Sequence, residues 1–373
     1  MSSPSSLSRR RFLQSLSFGA AAVGFGGSFA RARSDDSVTA HWEHATPEAA
    51  GFAPEVFAAV EASLYTTPTT SFLVVRGGKI AYTYGEISQV SYLASARKSV
   101  MSLLYGKYVE NGTIDLKRTI GDLGIDDLGG LLPIEKTATV RDILMASSGV
   151  YHDAGSPGSE GHPPARGSQK PGEHFYYNNW DFNVAGAIFT QLTGKTVFQA
   201  LADDLAGPLQ FQDFDPKRQH MLGYVPTRSR YSAYHLFLSG RDMARLGVLA
   251  LNGGRWNGRQ VVPERWVRAA TSLQVPHAAS AGNGAMGYGY LWWIPLETSR
   301  GPRWKGAFAA LGNYGQNILV LPEIDTVIVS RRAVTDEFAV ARNLGKTDAA
   351  PAGGSISGAA FFGAAEKIAA AAI

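Results

Sequence analysis

Cysteine is absent from all 373 residues, which excludes a disulfide framework, a thiolate nucleophile and any cysteine-ligated metal. Stability must then come from core packing. With 45% hydrophobic residues, a chain of this length has enough apolar material for one large domain or two interlocked ones. No apolar run reaches the roughly 18 to 20 uninterrupted residues of a membrane span. No G-x-S-x-G occurs, so the elbow that exposes the nucleophile of α/β-hydrolases has no support. Internal repeats are lacking, and no basic cluster in the body of the chain forms a nucleic-acid footprint.

The formal charge of +4 is concentrated at one end. Arg9, Arg10, Arg11 and Arg31 fall within the first 32 residues, which contain no acid; the remainder is close to neutral, so the basic balance says little about anionic partners. Ser8-Arg9-Arg10-Arg11-Phe12-Leu13 precedes the moderately apolar, Gly-rich segment 16–30, and Ala30-Arg31-Ala32 has the small-x-small form of a cleavage site. Residues 1–32 read as a twin-arginine export signal, against the alternative of a basic disordered tail with a chance arginine pair. The signal places the mature chain, 33–373, in the periplasm or elsewhere outside the cytoplasm.

What is present divides into strands at both ends and helices between. Residues 54–63 fit a helix with proline in its first turn. Residues 71–75 and 79–84 flank Arg76-Gly77-Gly78 as a hairpin. Val100, Leu103, Leu104 and Tyr108 then recur at helical spacing up to an Asn111-Gly112 stop. Helices are expected at 140–146, 181–193 and 241–251, the last with Ser239 and Asp242 as a capping box. Residues 153–173, dense in Gly, Pro and Ser, read as a mobile lid or an inserted loop. Strands are expected at 288–294, 304–310, 317–321 and 326–330, with a turn at Pro322-Glu323-Ile324-Asp325, and a linker at 350–358 leads to a helix at 359–372. The pattern predicts an α/β fold whose one sheet is assembled from distant segments, about 46–115 and 285–373, with a mainly helical subdomain inserted at about 116–284.

The chemistry-bearing residues are Ser95 and Lys98, three apart where a helix begins, and Tyr177 further on. A serine hydroxyl needs a base within hydrogen-bond reach; residues three apart share a helix face, and the helix N-terminus offers N–H groups to an oxyanion. Lys98 can act as that base if burial beside a second basic or polar group lowers its pKa. Other candidates have plainer readings. His41 and His44 are spaced for a metal but lie in a polar stretch. His152 and His174 bracket the long loop, and Tyr231, Tyr234, Trp292 and Trp293 are either pocket wall or core.

Four blocks together carry a resemblance: Phe72-Leu73-Val74-Val75-Arg76-Gly77-Gly78-Lys79, Ala94-Ser95-Ala96-Arg97-Lys98-Ser99, Thr139-Val140-Arg141-Asp142-Ile143-Leu144-Met145-Ala146-Ser147-Ser148-Gly149-Val150, and Pro171-Gly172-Glu173-His174-Phe175-Tyr176-Tyr177-Asn178-Asn179. Over about 46–330 the chain resembles the serine beta-lactamase and penicillin-binding protein superfamily, in its class C, esterase and 6-aminohexanoate-dimer hydrolase-like branch. The resemblance implies a beta-lactamase-like antiparallel sheet flanked by helices. By position it implies Ser95 as nucleophile, Lys98 as base, Tyr177 as proton relay to the leaving group and Asn179 as a contact to the substrate acyl portion. The N–H of Ser95 and the strand edge at Gly312 and Asn313 would form the oxyanion hole. It implies no cofactor and no metal, and a small-molecule ester or amide as substrate. One departure stands out. Where the family commonly has a basic residue or histidine, a small residue and glycine, this chain has Ala310-Leu311-Gly312, which favours ester or linear amide substrates over penicillins and cephalosporins. The rivals are a beta-lactamase or D-alanyl-D-alanine peptidase acting on cell-wall material, and a non-catalytic sensor or binding protein.

Overall fold

The computed structural model describes residues 41–156, 162–279, 285–347 and 349–373; residues 1–32, read from the sequence as an export signal, lie outside them. Helix α1, Glu55–Tyr65, buries Phe57, Val60 and Leu64, the stripe that helical periodicity dictates. Strands β1, Ser71–Arg76, and β2, Lys79–Gly85, follow. Arg76 pairs with Lys79, so Gly77 and Gly78 form a two-residue turn with φ of 58° and 75°. Both central residues of such a turn need positive φ, which glycine adopts without steric cost. Helix α2, Arg97–Glu110, comes next and stops at Asn111 and Gly112 as its sequence indicates.

Helices α3, Val140–Leu144, α4, Asn179–Thr193, and α5, Gly240–Leu251, lie in the middle of the chain. The remaining sheet strands are β3, Val275–Ala279, β4, Met286–Tyr288, β5, Trp293–Pro295, β6, Phe308–Gly312, β7, Gln316–Leu321, and β8, Thr326–Arg331. Helix α6, Gly358–Ala371, follows them. Among the described residues the large sheet runs β2-β1-β8-β7-β6-β5-β4-β3, antiparallel throughout.

Both faces of this sheet are covered, which is why its central strands read as continuous apolar runs instead of alternating ones. Period-two alternation still sorts them. Phe72, Val74, Leu319 and Ile328 pack with residues of α1 and α6 on one face. Leu73, Val75, Ile318, Val320, Val327 and Val329 belong to the larger core with α2 and α5 on the other.

Several boundaries differ from the sequence reading. Residues 288–294 are not one strand: β4 and β5 are separate arms, and Leu291 between them has φ 63°. Trp304 sits in a 3-10 turn, with β6 beginning only at Phe308. The 116–284 stretch read as helical contains β3, an edge strand of the sheet, and α5, which packs on its face. The capping box at α5 is half formed. Ser239 accepts from the Asp242 N–H, but the Asp242 carboxylate turns away to accept from the N–H groups of Gln212 and Asp213 at 2.7 and 3.0 Å. Burial pushes that carboxyl up to about 6.

In the 153–173 loop, 157–161 lie outside the described residues. The described flanks are tied to the body: Ser156 Oγ donates to the Gly223 carbonyl at 2.8 Å, Arg166 Nε to Glu135 at 2.9 Å, and the Gly172 N–H to the Ser147 carbonyl at 2.7 Å. No helix among the described residues is long and apolar enough to cross a membrane.

Candidate active site

The approach to Ser95 is fixed from behind. Ser91–Tyr92 pairs with Phe237–Leu238 in a short ladder. Arg331 at the end of β8, itself buried, ties that ladder to the sheet through the Ser91 carbonyl at 3.0 Å, the Leu238 carbonyl and Gln316 Oε1 at 2.9 Å. The chain then makes a 3-10 turn, Ala94–Ala96, before entering α2. Ala94 takes a left-handed φ of 47°, a conformation that disfavours any side chain bearing a Cβ and persists only where the surroundings enforce it. The turn has a clear effect: from Ser91 to Gly106 every residue is buried except Ser95.

Lys98, one turn on, is 1% exposed. Its Nζ donates to Ser95 Oγ at 3.0 Å, Tyr177 OH at 2.8 Å and Asn179 Oδ1 at 2.9 Å. The same nitrogen lies 4.2 Å from the Tyr177 ring centroid and 4.1 Å from that of Phe182. The structure therefore brings together Ser95, Lys98, Tyr177 and Asn179, residues spread over more than eighty positions.

Tyr177 and Asn179 are held by the start of α4. Asn178 caps the helix, its Oδ1 accepting from the Trp180 N–H at 2.9 Å while its Nδ2 donates to the Val150 carbonyl at 2.6 Å. The Tyr176 N–H bonds the Ala146 carbonyl at 2.9 Å, and Ser148 Oγ donates to Asp181 at 2.7 Å. These contacts give the Thr139 to Val150 block its purpose. Its short helix α3, closed by a Thr139–Asp142 capping box, is the platform on which the Tyr177 segment rests.

Gly312 ends β6 against the Ser95 turn. A Cβ built there would lie 2.6 Å from the Leu93 carbonyl oxygen and 2.9 Å from the Ala96 nitrogen. Its φ of −128° is ordinary, so space and not conformation demands glycine. Asn313 follows, exposed at the rim. Ala310, where the resemblance expects a cation, is fully buried in the core.

Of the four aromatics considered as pocket wall, Trp293 reaches the site, stacked on Tyr177 with centroids 5.3 Å apart and planes at 22°. Trp292 is buried against Phe308, and Tyr231 packs on Trp180 and donates to the Asp126 carbonyl at 3.0 Å. Tyr234 is buried beneath Arg97. His152 bonds the Leu128 and Asp153 carbonyls, and His174 is exposed. Among the described residues no group of three His, Asp or Glu is placed to hold a metal. Phe182 and Arg97 were not singled out from the sequence. Phe182 lies five residues beyond Tyr177, a spacing without a recognisable signal.

A half-buried serine on a turn leading into a helix, a buried lysine and a tyrosine gather beside the end of a central strand of a helix-covered antiparallel sheet, the arrangement of a serine hydrolase. The chain belongs to the beta-lactamase family, whose profile matches residues 57–330. It is similar to the 6-aminohexanoate-dimer hydrolase of Paenarthrobacter ureafaciens, 25% identical over 305 residues, 72% of this chain and 74% of that one. Among solved structures it is similar to an octameric penicillin-binding protein homologue from Pyrococcus abyssi, with TM-score 0.57, 18% identity and coverage of 78% and 77%. It is also similar to simvastatin synthase from Aspergillus terreus, with TM-score 0.56, 16% identity and coverage of 78% and 97%. At these identities the two structures establish the shared fold.

Proposed function

We propose that this serine hydrolase cleaves an ester or linear amide through an acyl-enzyme on Ser95. The observation that carries the reading is the Lys98 Nζ within hydrogen-bond reach of Ser95, Tyr177 and Asn179 at once. Lys98 takes the Ser95 proton as Oγ attacks the acyl carbon, and the proton passes through the Tyr177 hydroxyl to the departing alcohol or amine. Asn179 holds Lys98 and contacts the acyl portion. The N–H groups of Ser95 and Asn313 receive the oxyanion, a pair in which losing one donor costs about 2.7 to 4 kcal/mol. The apolar, buried Ala310 supports esters and linear amides over substrates that need a carboxylate-binding cation there. A relative named for hydrolysing a 6-aminohexanoate dimer supports the same reading. Arg9 and Arg10 support export by the twin-arginine route to the periplasm.

The test is intact mass of the mature protein after brief exposure to a short-chain activated ester and, separately, to a penicillin, each against Ser95→Ala. A Ser95-dependent adduct or product with the ester alone is expected. A lasting penicillin adduct overturns the substrate assignment in favour of a cell-wall enzyme or sensor. Absence of any Ser95-dependent reaction with a panel of esters and amides favours a binding protein.

Gly312→Ala is expected to lower the acylation rate about a hundredfold, because the β6 end must retreat from Leu93 and Ala96 and carry the oxyanion donor with it; a shift of about 1 Å has that effect. Single-turnover kinetics with the activated ester measure it, and an unchanged rate removes Gly312 from the site.

A further inference from the structure

A lysine can serve as base only when it has lost its proton, and this fold lacks the cation that the resemblance places on β6. Another cation lies nearby. Arg97, the residue before Lys98 on α2, is 4% exposed. Its guanidinium lies 4.9 Å from the Tyr234 ring centroid, its Nη2 is 3.5 Å from Asn183 Oδ1, and its buried Nε has no hydrogen-bond partner. Among the described residues no carboxylate forms an ion pair with it. A guanidinium keeps its charge in proteins. A buried one without a counter-ion costs free energy that packing alone does not repay, and its field reaches further than that of a neutralised pair.

We propose that Arg97 is a positioning residue whose uncompensated buried charge holds the adjacent Lys98 in its neutral, base-competent form. The inference rests on the reading of Lys98 as base and names what makes that reading work when Ala310 replaces a cation.

The charged and polar groups around Lys98 act in both senses. From the 3-10 turn it meets Ser95, and Arg97 precedes it on α2; from the α4 segment it meets Tyr177, Asn179 and the Phe182 ring. Asp181, the buried acid of the first turn of α4, to which Ser148 donates at 2.7 Å, acts in the opposite sense, since a carboxylate favours the ammonium, and the Arg97 charge must outweigh it. Tyr288 on β4 is buried, and its hydroxyl is pushed well up by burial and by Tyr177, Tyr234 and Asp181. His235 lies in the same region: burial first, and then the Arg97 charge, push it well below the ordinary imidazole range. Its Nδ1 accepts from the Leu222 N–H at 2.7 Å, as a neutral ring does. A nearby positive charge disfavours protonation of a lysine, so removing Arg97 stabilises the Lys98 ammonium and demands a higher pH to discharge it.

The experiment compares pH profiles of kcat/KM for acylation in wild type, Arg97→Met and Arg97→Lys. Arg97→Met is expected to move the acid limb up by about one pH unit, a tenfold loss on that limb that is recovered at higher pH. Arg97→Lys, which keeps the charge, is expected to leave the limb in place. A rate lowered equally at all pH values, with the limb unmoved, assigns Arg97 a purely structural role and overturns the proposal. Should Arg97→Met fail to fold, carbon NMR of labelled lysine side chains in the wild-type protein, assigned with Lys98→Met, decides. Titration of Lys98 at or above the ordinary lysine value of about 10.4 overturns the proposal, and titration clearly below it is expected. Wild-type acylation by Lys98→Met sinks the underlying reading instead, so the two failures are distinguishable.

Discussion

Lys98→Met is expected to lower the acylation rate by roughly four orders of magnitude while leaving the fold intact. General-base catalysis contributes about 10²- to 10⁴-fold, and catalytic groups that act as a unit lose nearly everything when one is removed. Here the unit is compact: one nitrogen serves the Ser95 hydroxyl, the Tyr177 hydroxyl and the Asn179 carbonyl oxygen. Methionine fills the space between the Tyr177 and Phe182 rings, so far-ultraviolet circular dichroism and the unfolding midpoint check that chemistry and not packing was lost. Ser95→Ala in the same assay sets the floor. A Lys98→Met rate within tenfold of wild type would remove the lysine from the reaction.

Asp127→Ala is expected to cost about 3 to 5 kcal/mol of stability, the range for orphaning a buried, hydrogen-bonded charge network. The Asp127 carboxylate is buried and accepts from Ser229 Oγ at 2.5 Å, Trp180 Nε1 at 2.7 Å, the Arg230 N–H at 2.7 Å and the Leu128 N–H at 2.8 Å. Alanine leaves all four donors without that acceptor in the interior. Burial alone would raise the carboxyl, but the donors from Ser229, Arg230, Trp180 and Leu128 outweigh it and hold it below the ordinary carboxylate range. A depressed folded-state pKa contributes stability that is complete above the unfolded value near 4 and disappears as pH falls through the folded one. The gap between wild type and variant, read from urea midpoints, is therefore expected to be full at pH 7 and to narrow below about pH 4. A pH-independent gap would show that lost packing explains the effect. Trp180 stands one residue beyond Asn179, so loosening this anchor also disturbs the site.

Much of this arrangement was legible because local rules and the fold agree. The Gly77-Gly78 turn, the spacing of Val100, Leu103, Leu104 and Tyr108, and the three-residue step from Ser95 to Lys98 each have a single geometric reading. What escaped depends on partners distant in sequence. The ladder of Ser91–Tyr92 with Phe237–Leu238 is too short to leave a periodic signal, and β3 is recognisable only once β4 is beside it. Asp242 has the spacing of a capping box, yet the N–H groups of Gln212 and Asp213 compete for its carboxylate and win. The apolar run through Trp292 hides the break at Leu291, because a buried turn is as hydrophobic as a strand. Arg97 carries no sequence signal of its own; only tertiary structure reveals that α2 is buried nearly all round.

The pairing of β1 with β8 has a bearing on how the protein is made. Ser71 lies opposite Arg331 and Arg76 opposite Thr326, so the middle of the sheet joins segments separated by most of the chain. During synthesis, β1 and its hairpin partner leave the ribosome long before the strand that completes them, and non-local pairing of this kind is slow. Until β8 arrives, β1 and β7 each present an unpaired apolar edge of the type that recruits other chains. Polypeptides terminated shortly before residue 326 are accordingly expected to aggregate more readily than the full chain, which sedimentation of the truncated products would measure.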